Sequence, residues 1–215
     1  MNLISVNVAL PQEVQWNGGR VMTGIFKQPV NGPIRAERLN LAGDRQADLS
    51  VHGGPYKAIY AYPAEHYDYW RHNLPDRELQ WGAFGENLTT EGLQEDAVHI
   101  GDRFRVGSAE LIVTQPRLPC YKLGIKFGRA DMVKHFLDSR RTGFYFAVAQ
   151  EVEITAGKRF ELVAREPQSL TVSDITNLYA FENGNREMLE RAVQLKALPE
   201  SWRVYFQDKL QTIAR

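Results

Sequence analysis

The chain has 215 residues, of which 43% are hydrophobic and 24% charged, as is usual for a globular protein with a substantial core. Lysine plus arginine and aspartate plus glutamate each total 26, and this zero net charge argues against a general nucleic-acid-binding protein. The one cysteine excludes an intrachain disulfide. No signal-peptide pattern opens the sequence and no apolar run approaches the roughly 20 residues of a membrane span, so we expect a cytoplasmic protein with no membrane partner.

Short strand-like segments separated by turns occupy the chain up to about residue 163. Phe144, Phe146 and Val148 alternate on one face of a strand that starts near Thr142. Short strands with few helices favour a barrel or sandwich over a doubly wound sheet. In chain order, the predicted elements are a strand at 58–62, a helix at 64–72, strands at 103–106 and 110–115, a helix at 130–139, the strand from 142, and a hairpin of 152–154 with 160–162.

The pattern changes near Pro167, where amphipathic helical spacing begins. Three short helices are predicted at 171–180, 185–195 and 199–210, and Thr171 with Asp174 has the spacing of a capping box. We therefore divide the chain into a strand-rich domain, 1–165, and a three-helix domain, 166–215. The helical unit is too small to be stable alone, so we expect it to pack against the strands and to serve stability or partner docking rather than chemistry.

The sequence contains none of the common nucleotide-binding, serine-hydrolase or zinc-protease motifs, which leaves four polar clusters as candidate sites. In residues 43–57, Gly53 and Gly54 permit a close backbone approach to a ligand, and His52 and Lys57 could meet an anion. A solvated turn is the alternative. In residues 84–90, the side chains of Asn87 and Thr89 could bind a polar ligand, or the segment could be an ordinary turn.

The other two clusters contain the cysteine and a pair of arginines. Cys120 lies in the segment PRLPC, where two prolines stiffen the backbone and the nearby Arg117 and Lys122 favour the thiolate form. A thiolate can act as a nucleophile or as a ligand for a soft metal ion, although a lone cysteine can also be buried and inert. In residues 140–145, two guanidinium groups and the Thr142 hydroxyl could bind phosphate, or form a solvated helix end.

Taken together and in this order, the clusters resemble the MOSC family, which is named for the C-terminal domain of molybdenum cofactor sulfurases, and in particular its bacterial YiiM type. The likeness covers nearly the whole chain, including the three C-terminal helices. The matching segments are TGIFKQPV (23–30), GDRQAD (43–48) with HGG (52–54), FGENLT (84–89), PRLPC (116–120) and RTGFY (141–145).

The resemblance implies a mainly β fold: a closed, strand-rich barrel like that inserted in pyruvate kinase, followed by the helical unit. It implies a molybdenum cofactor (Mo-molybdopterin) whose metal is held by two dithiolene sulfurs and by Cys120. It also implies reduction of small N-hydroxylated compounds, such as hydroxylaminopurine-type base analogues, with electrons from a separate flavoprotein reductase.

Molybdopterin ends in a phosphate, so one end of its site needs cations and hydroxyl donors. The candidates are Lys27, Lys57, Arg117 and Arg141, with Asn87, Thr89 and Thr142. For proton delivery the candidates are His52 and Glu86. Two alternatives stay open: a carrier that binds molybdopterin without turnover, and a cofactor-free thiol enzyme that uses Cys120. The sequence is compatible with a monomer or a homodimer.

Overall fold

The structure is a computed structural model that describes residues 1–181 and 185–213. Residues 182–184 and 214–215 belong to the predicted helical domain and lie outside the described residues. The strands are β1 (Asn2–Val8), β2 (Gln12–Trp16), β3 (Gly19–Thr23), β4 (Gln28–Pro29), β5 (Ile34–Ala36), β6 (Ile59–Pro63), β7 (Leu88–Glu91), β8 (Arg103–Val106), β9 (Ala109–Pro116), β10 (Phe144–Gln150), β11 (Val152–Ile154) and β12 (Phe160–Ala164). The α-helices are α1 (Leu49–His52), α2 (His66–Asn73), α3 (Tyr121–Phe127), α4 (Met132–Asp138), α5 (Val172–Ala180), α6 (Arg186–Gln194) and α7 (Glu200–Ile213).

Within the described residues, eight strands form one curled, mixed sheet in the order β12-β8-β9-β10-β6-β7-β1-β4. The predicted closed barrel is wrong, because the two edge strands of this sheet, β12 and β4, are not paired with each other. Asn2 of β1 forms an isolated bridge with Arg159, the residue before β12, whereas the other end of β1 pairs with the short β4. Pro29 in β4 has no N–H to donate, and a proline is tolerated at such an edge.

Most of the predicted elements are confirmed, with shifts of a few residues at their ends. The hairpin of 152–154 with 160–162 is wrong, although both segments are strands. β11 pairs with β5, and β12 pairs with β8. The turn residues at Gly157 are present, but the backbone at 157–158 bonds to Leu3 of β1 instead of closing a hairpin.

The C-terminal helices pack against the sheet, as expected. One continuous hydrophobic core contains Val113 and Phe146 from the sheet together with Val172, Leu189 and Trp202 from the helices. The capping box of α5 is confirmed, with bonds in both directions between Thr171 and Asp174. Because the core runs through both regions, the division at residue 165 stays a prediction. Among the described residues, no helix is long and apolar enough to cross a membrane.

Candidate functional site

A cleft lies beside the carboxyl end of β9, where several segments distant in sequence converge. The space between its walls, including the part open to solvent, is about 660 Å³. The residues that line it are Thr23, Gly24, Ile25, Lys27, Asp44, Arg45, Gln46, Ala47, His52, Lys57, Tyr60, Gly85, Asn87, Arg117, Leu118, Cys120, Lys122 and Tyr145. The structure thus brings together six of the ten residues proposed from the sequence, namely Lys27, His52, Lys57, Asn87, Arg117 and Cys120.

Cys120 stands in the loop between β9 and α3. The loop begins where the Arg117 N–H donates to the Gly143 carbonyl (3.1 Å), and it ends where the Leu123 N–H donates to the Cys120 carbonyl (2.9 Å). Cys120 has an extended backbone and directly precedes the first residue of α3, a helix that the sequence analysis missed. Its thiol is partly exposed and lines the cleft.

Arg117 is a buried cation, with only 6% of its surface exposed. Its guanidinium carbon lies 5.0 Å from the ring centre of Tyr60 and 5.1 Å from that of Phe136, which are distances typical of cation–π contacts. Within the described part of the chain, its buried Nη1 atom has no hydrogen-bond partner. A buried donor without a partner is costly, so a bound anion at this position would relieve an unfavourable arrangement.

The same cleft is also lined by Lys57, Lys122 and His52. Burial lowers the pKa of Lys57. Burial, followed by the positive charges of Lys122, Lys57 and Arg117, lowers the pKa of His52 to about 4. The His52 imidazole is therefore neutral at pH 7, and three cations lie close enough to contribute to its lowered pKa although the net charge of the whole chain is zero.

Lys27 also lines the cleft, but its charge is already balanced. The Lys27 ammonium forms a buried ion pair with Asp44, which also accepts from the Ala9 N–H (2.9 Å) and the Asn87 side-chain amide (2.9 Å). Burial lowers the pKa of Lys27, although the Asp44 carboxylate acts in the opposite direction. The Asn87 side-chain oxygen accepts from the Tyr60 N–H, so Lys27 and Asn87 belong to a network that joins three walls of the cleft.

Arg141 and Thr142 do not line the cleft, so the structure does not bring these two predicted phosphate ligands together with the others. The Arg141 guanidinium lies 4.1 Å from the ring centre of Tyr69 and donates to the Ser139 carbonyl. Thr142 is fully buried, and its carbonyl accepts from the Tyr60 hydroxyl (2.8 Å). Residues 142–143 therefore support the cleft through their backbone.

Thr89 and Glu86 are also outside the cleft lining. The Thr89 hydroxyl donates to Glu86 (3.0 Å) and accepts from Asn7 (3.1 Å). Glu86 is fully buried and accepts in addition from the Tyr67 hydroxyl and from the Gly82 N–H. Burial raises the pKa of Glu86. Both residues hold the loop that precedes β7, and Glu86 is therefore not placed for proton delivery in the cleft.

The sequence analysis missed Asp44, Tyr60 and Tyr145 as individual site residues. Asp44 was visible in the first cluster, but nothing in the sequence indicated that it pairs with Lys27. Tyr60 and Tyr145 stand opposite each other on β6 and β10, and only the strand register brings them together beside Arg117. Lys122 had been noted as a nearby charge, and its position in the first turn of α3 brings it into the lining.

A MOSC domain family model matches residues 48–161, which is more than half of the chain. The chain belongs to the MOSC family. A second model, described as a YiiM-like 3-alpha helix domain, matches residues 170–212. The pair of matches confirms the resemblance drawn from the sequence.

Relatives and solved structures agree with this assignment. The chain is 42% identical to YflK of Bacillus subtilis, over 97% of this chain and 94% of that protein, and 36% identical to YiiM of Escherichia coli, over 84% and 81%. The crystal structure of YiiM from Geobacillus stearothermophilus matches with a TM-score of 0.82 and 35% identity, over 97% of this chain and 98% of that one. A protein of Gibberella moniliformis named a reductase is 32% identical, and the match covers 83% of this chain but 32% of that protein.

Proposed function

We propose that this MOSC protein is a molybdenum-cofactor-dependent oxidoreductase that reduces N-hydroxylated compounds to amines, hydroxylaminopurine-type base analogues among them. A separate flavoprotein reductase supplies the electrons. The observation that carries the proposal is the pairing, in one cleft, of the only thiol with Arg117, a buried cation whose Nη1 atom lacks a partner within the described residues. The reductase name of the Gibberella relative supports the oxidoreductase class.

The cleft residues fit the two chemically different ends of a molybdopterin cofactor. Arg117, Lys57 and Lys122 provide positive charge for a terminal phosphate, and guanidinium groups bind phosphate oxygens with well-oriented donors. Cys120 provides a sulfur ligand of the kind that soft metal centres prefer. Because both functions come from the same cleft, a single elongated ligand could satisfy the unpartnered Arg117 donor and the thiol together.

The bound cofactor would supply a centre that transfers two electrons, and the overall reaction is R–NHOH plus two electrons and two protons giving R–NH2 and water. The chain's own residues would bind and orient this cofactor. Cys120 Sγ would be the metal ligand, and Arg117 and Lys57 would hold the phosphate. His52 is neutral at pH 7, so an imidazole nitrogen can accept or relay a proton, and an anion bound nearby would raise its pKa toward the range of a proton donor.

The test uses protein purified from a host that makes the cofactor. Molybdenum is measured by elemental analysis, cofactor mass by mass spectrometry, and turnover with a chemically reduced dye and an N-hydroxylated purine. We expect molybdenum in the wild-type protein and dye-dependent formation of the amine. Molybdenum without turnover would indicate a carrier, and turnover without molybdenum would indicate a thiol enzyme; either result overturns the proposal.

A further inference from the structure

Gln115 connects the C-terminal helices to the strand that leads to Cys120. It is the penultimate residue of β9, and only 3% of its surface is exposed. Its side-chain oxygen accepts from the indole N–H of Trp202 in α7 (2.7 Å), and its side-chain nitrogen donates to the Tyr56 carbonyl (3.2 Å). A residue of the helical unit thus bonds directly to the strand two residues before Arg117.

The segment after Gln115 has little freedom to absorb a displacement. Pro116 and Pro119 each have a fixed φ, and they flank Arg117 on the way to Cys120. Gln115 is also paired across the sheet with Tyr145, which lines the cleft. A change in the position of Gln115 is therefore passed on to the loop that carries the guanidinium and the thiol.

A second connection reaches the same loop from α5. The Ser173 N–H donates to the Glu95 carbonyl (2.9 Å), and the Glu95 side chain accepts from the Gly143 N–H (2.7 Å). His66 holds the other carboxylate oxygen through its Nε2 atom (2.6 Å). The Gly143 carbonyl in turn accepts from the Arg117 N–H (3.1 Å), so Arg117 is connected to the helical unit through Gly143 as well as through Gln115.

We infer that the three-helix unit positions the catalytic loop, with Trp202 acting through Gln115 and Glu95 acting through Gly143 as positioning residues. This goes beyond the sequence-based expectation that the helices serve stability or docking alone. The description of the loop as catalytic rests on the proposed function. The contacts themselves, and the alkylation rate of Cys120 that tests them, do not depend on the proposed function.

The test measures how fast iodoacetamide alkylates Cys120 in protein produced without cofactor, and the single cysteine makes this readout specific. Trp202→Phe keeps an aromatic ring in place but removes the indole donor. Loss of one buried hydrogen bond is worth about 1 kcal/mol, so we expect the alkylation rate to change by about fivefold. The matched control is Tyr205→Phe, which removes a hydroxyl bond to the Tyr179 carbonyl within the helical unit and should leave the rate unchanged.

A double-mutant cycle separates positioning from general loosening of the fold. Gln115→Met breaks the same bond from the sheet side, and it serves alone if Trp202→Phe does not fold. If Trp202 acts through Gln115, adding Trp202→Phe to Gln115→Met has no further effect on alkylation. Additive effects, or equal changes in Trp202→Phe and Tyr205→Phe, overturn the inference for this connection.

Glu95 provides the same test for the second connection, with a conservative rescue. Glu95→Gln keeps an oxygen for the Gly143 N–H and should retain the wild-type alkylation rate, whereas Glu95→Leu should change it by a similar factor of about five. Equal rates in these two variants overturn the role of Glu95. In cofactor-loaded protein, a variant with altered alkylation should also retain less molybdenum. Absence of molybdenum from the wild-type protein would instead overturn the proposed function and leave the alkylation result standing.

Discussion

Replacing Asp44 by asparagine should destabilise the protein strongly, because three donors converge on this carboxylate. One oxygen accepts from the Ala9 N–H and the Lys27 ammonium, and the other accepts from the Asn87 amide. Both side chains of the ion pair are buried, with exposures of 8% for Lys27 and 1% for Asp44. An asparagine side chain puts an NH2 group in place of one of these oxygens, so a donor then faces a donor and the ammonium loses its counter-charge.

The expected loss in the free energy of unfolding is about 3–5 kcal/mol at pH 7, the usual cost of removing one partner of a buried ion pair. An upper limit follows from deprotonation of Lys27. Keeping a lysine with an ordinary pKa of 10.5 neutral at pH 7 costs about 5 kcal/mol. The cost of burying the unpaired Lys27 ammonium cannot exceed this value, because Lys27 would then lose its proton in the folded variant. At pH 9 the same limit is about 2 kcal/mol.

The sign of the pH dependence follows from proton binding. Burial already lowers the pKa of Lys27 in the wild type, and removal of the Asp44 carboxylate, which raises this pKa, lowers it further. Between the Lys27 pKa of the folded variant and that of the folded wild type, the variant has therefore released a proton that the wild type and the unfolded chain still hold. Raising the pH through this window therefore stabilises the variant relative to the wild type.

Urea unfolding of the wild type and Asp44→Asn at pH 7 and pH 9 measures this difference. Asp48→Asn is the control, because Asp48 is an exposed helix cap and asparagine caps equally well. A loss below about 1 kcal/mol at pH 7, or a loss that is as large at pH 9 as at pH 7, would refute the reasoning.

Three further predictions concern the thiol, the histidine and a tight turn. Cys120→Ser should abolish molybdenum-dependent turnover and leave thermal unfolding unchanged, since oxygen is a harder ligand of nearly equal size; full reductase activity would contradict the ligand assignment. NMR titration should give His52 a pKa of about 4, and inorganic phosphate should raise it. Because that value lies below the unfolded 6.5, stability should fall by about 1–2 kcal/mol, after allowance for solvent screening, as pH drops through this window, and His52→Ala should remove the effect. Gly143→Ala should cost more than about 3 kcal/mol in urea unfolding, because its φ is +67° and a Cβ would lie 2.4 Å from the Ala61 carbonyl oxygen, whereas Gly157→Ala, with open space around it, should cost about 1 kcal/mol.

Local patterns predicted the elements of this fold well where each element carries its own signal. The strand at 103–106 shows a clear alternation, and α5 has a capping box that forms as expected. Strands β1–β5 and β7 were not predicted individually. Helix α1 escaped prediction because its four residues are too few to show a periodic apolar face, and α3 was missed although it is as long as the predicted α4. The pairing between strands was harder to predict from the sequence. The turn at Gly157 resembles that of a hairpin, but the partner of β11 is β5, which lies more than a hundred residues earlier in the chain.

The family and the segments that build the cleft could be recognised from the linear chain, because the order and spacing of motifs are properties of the chain itself. Which cations share that cleft depends on the fold. Arg117 and Arg141 are equally basic in sequence, yet strand pairing puts one beside Cys120 and the other against Tyr69. Whether a charge is available depends on its neighbours and its burial, and Lys27 acquires Asp44 as a partner only when segments 17 residues apart fold together.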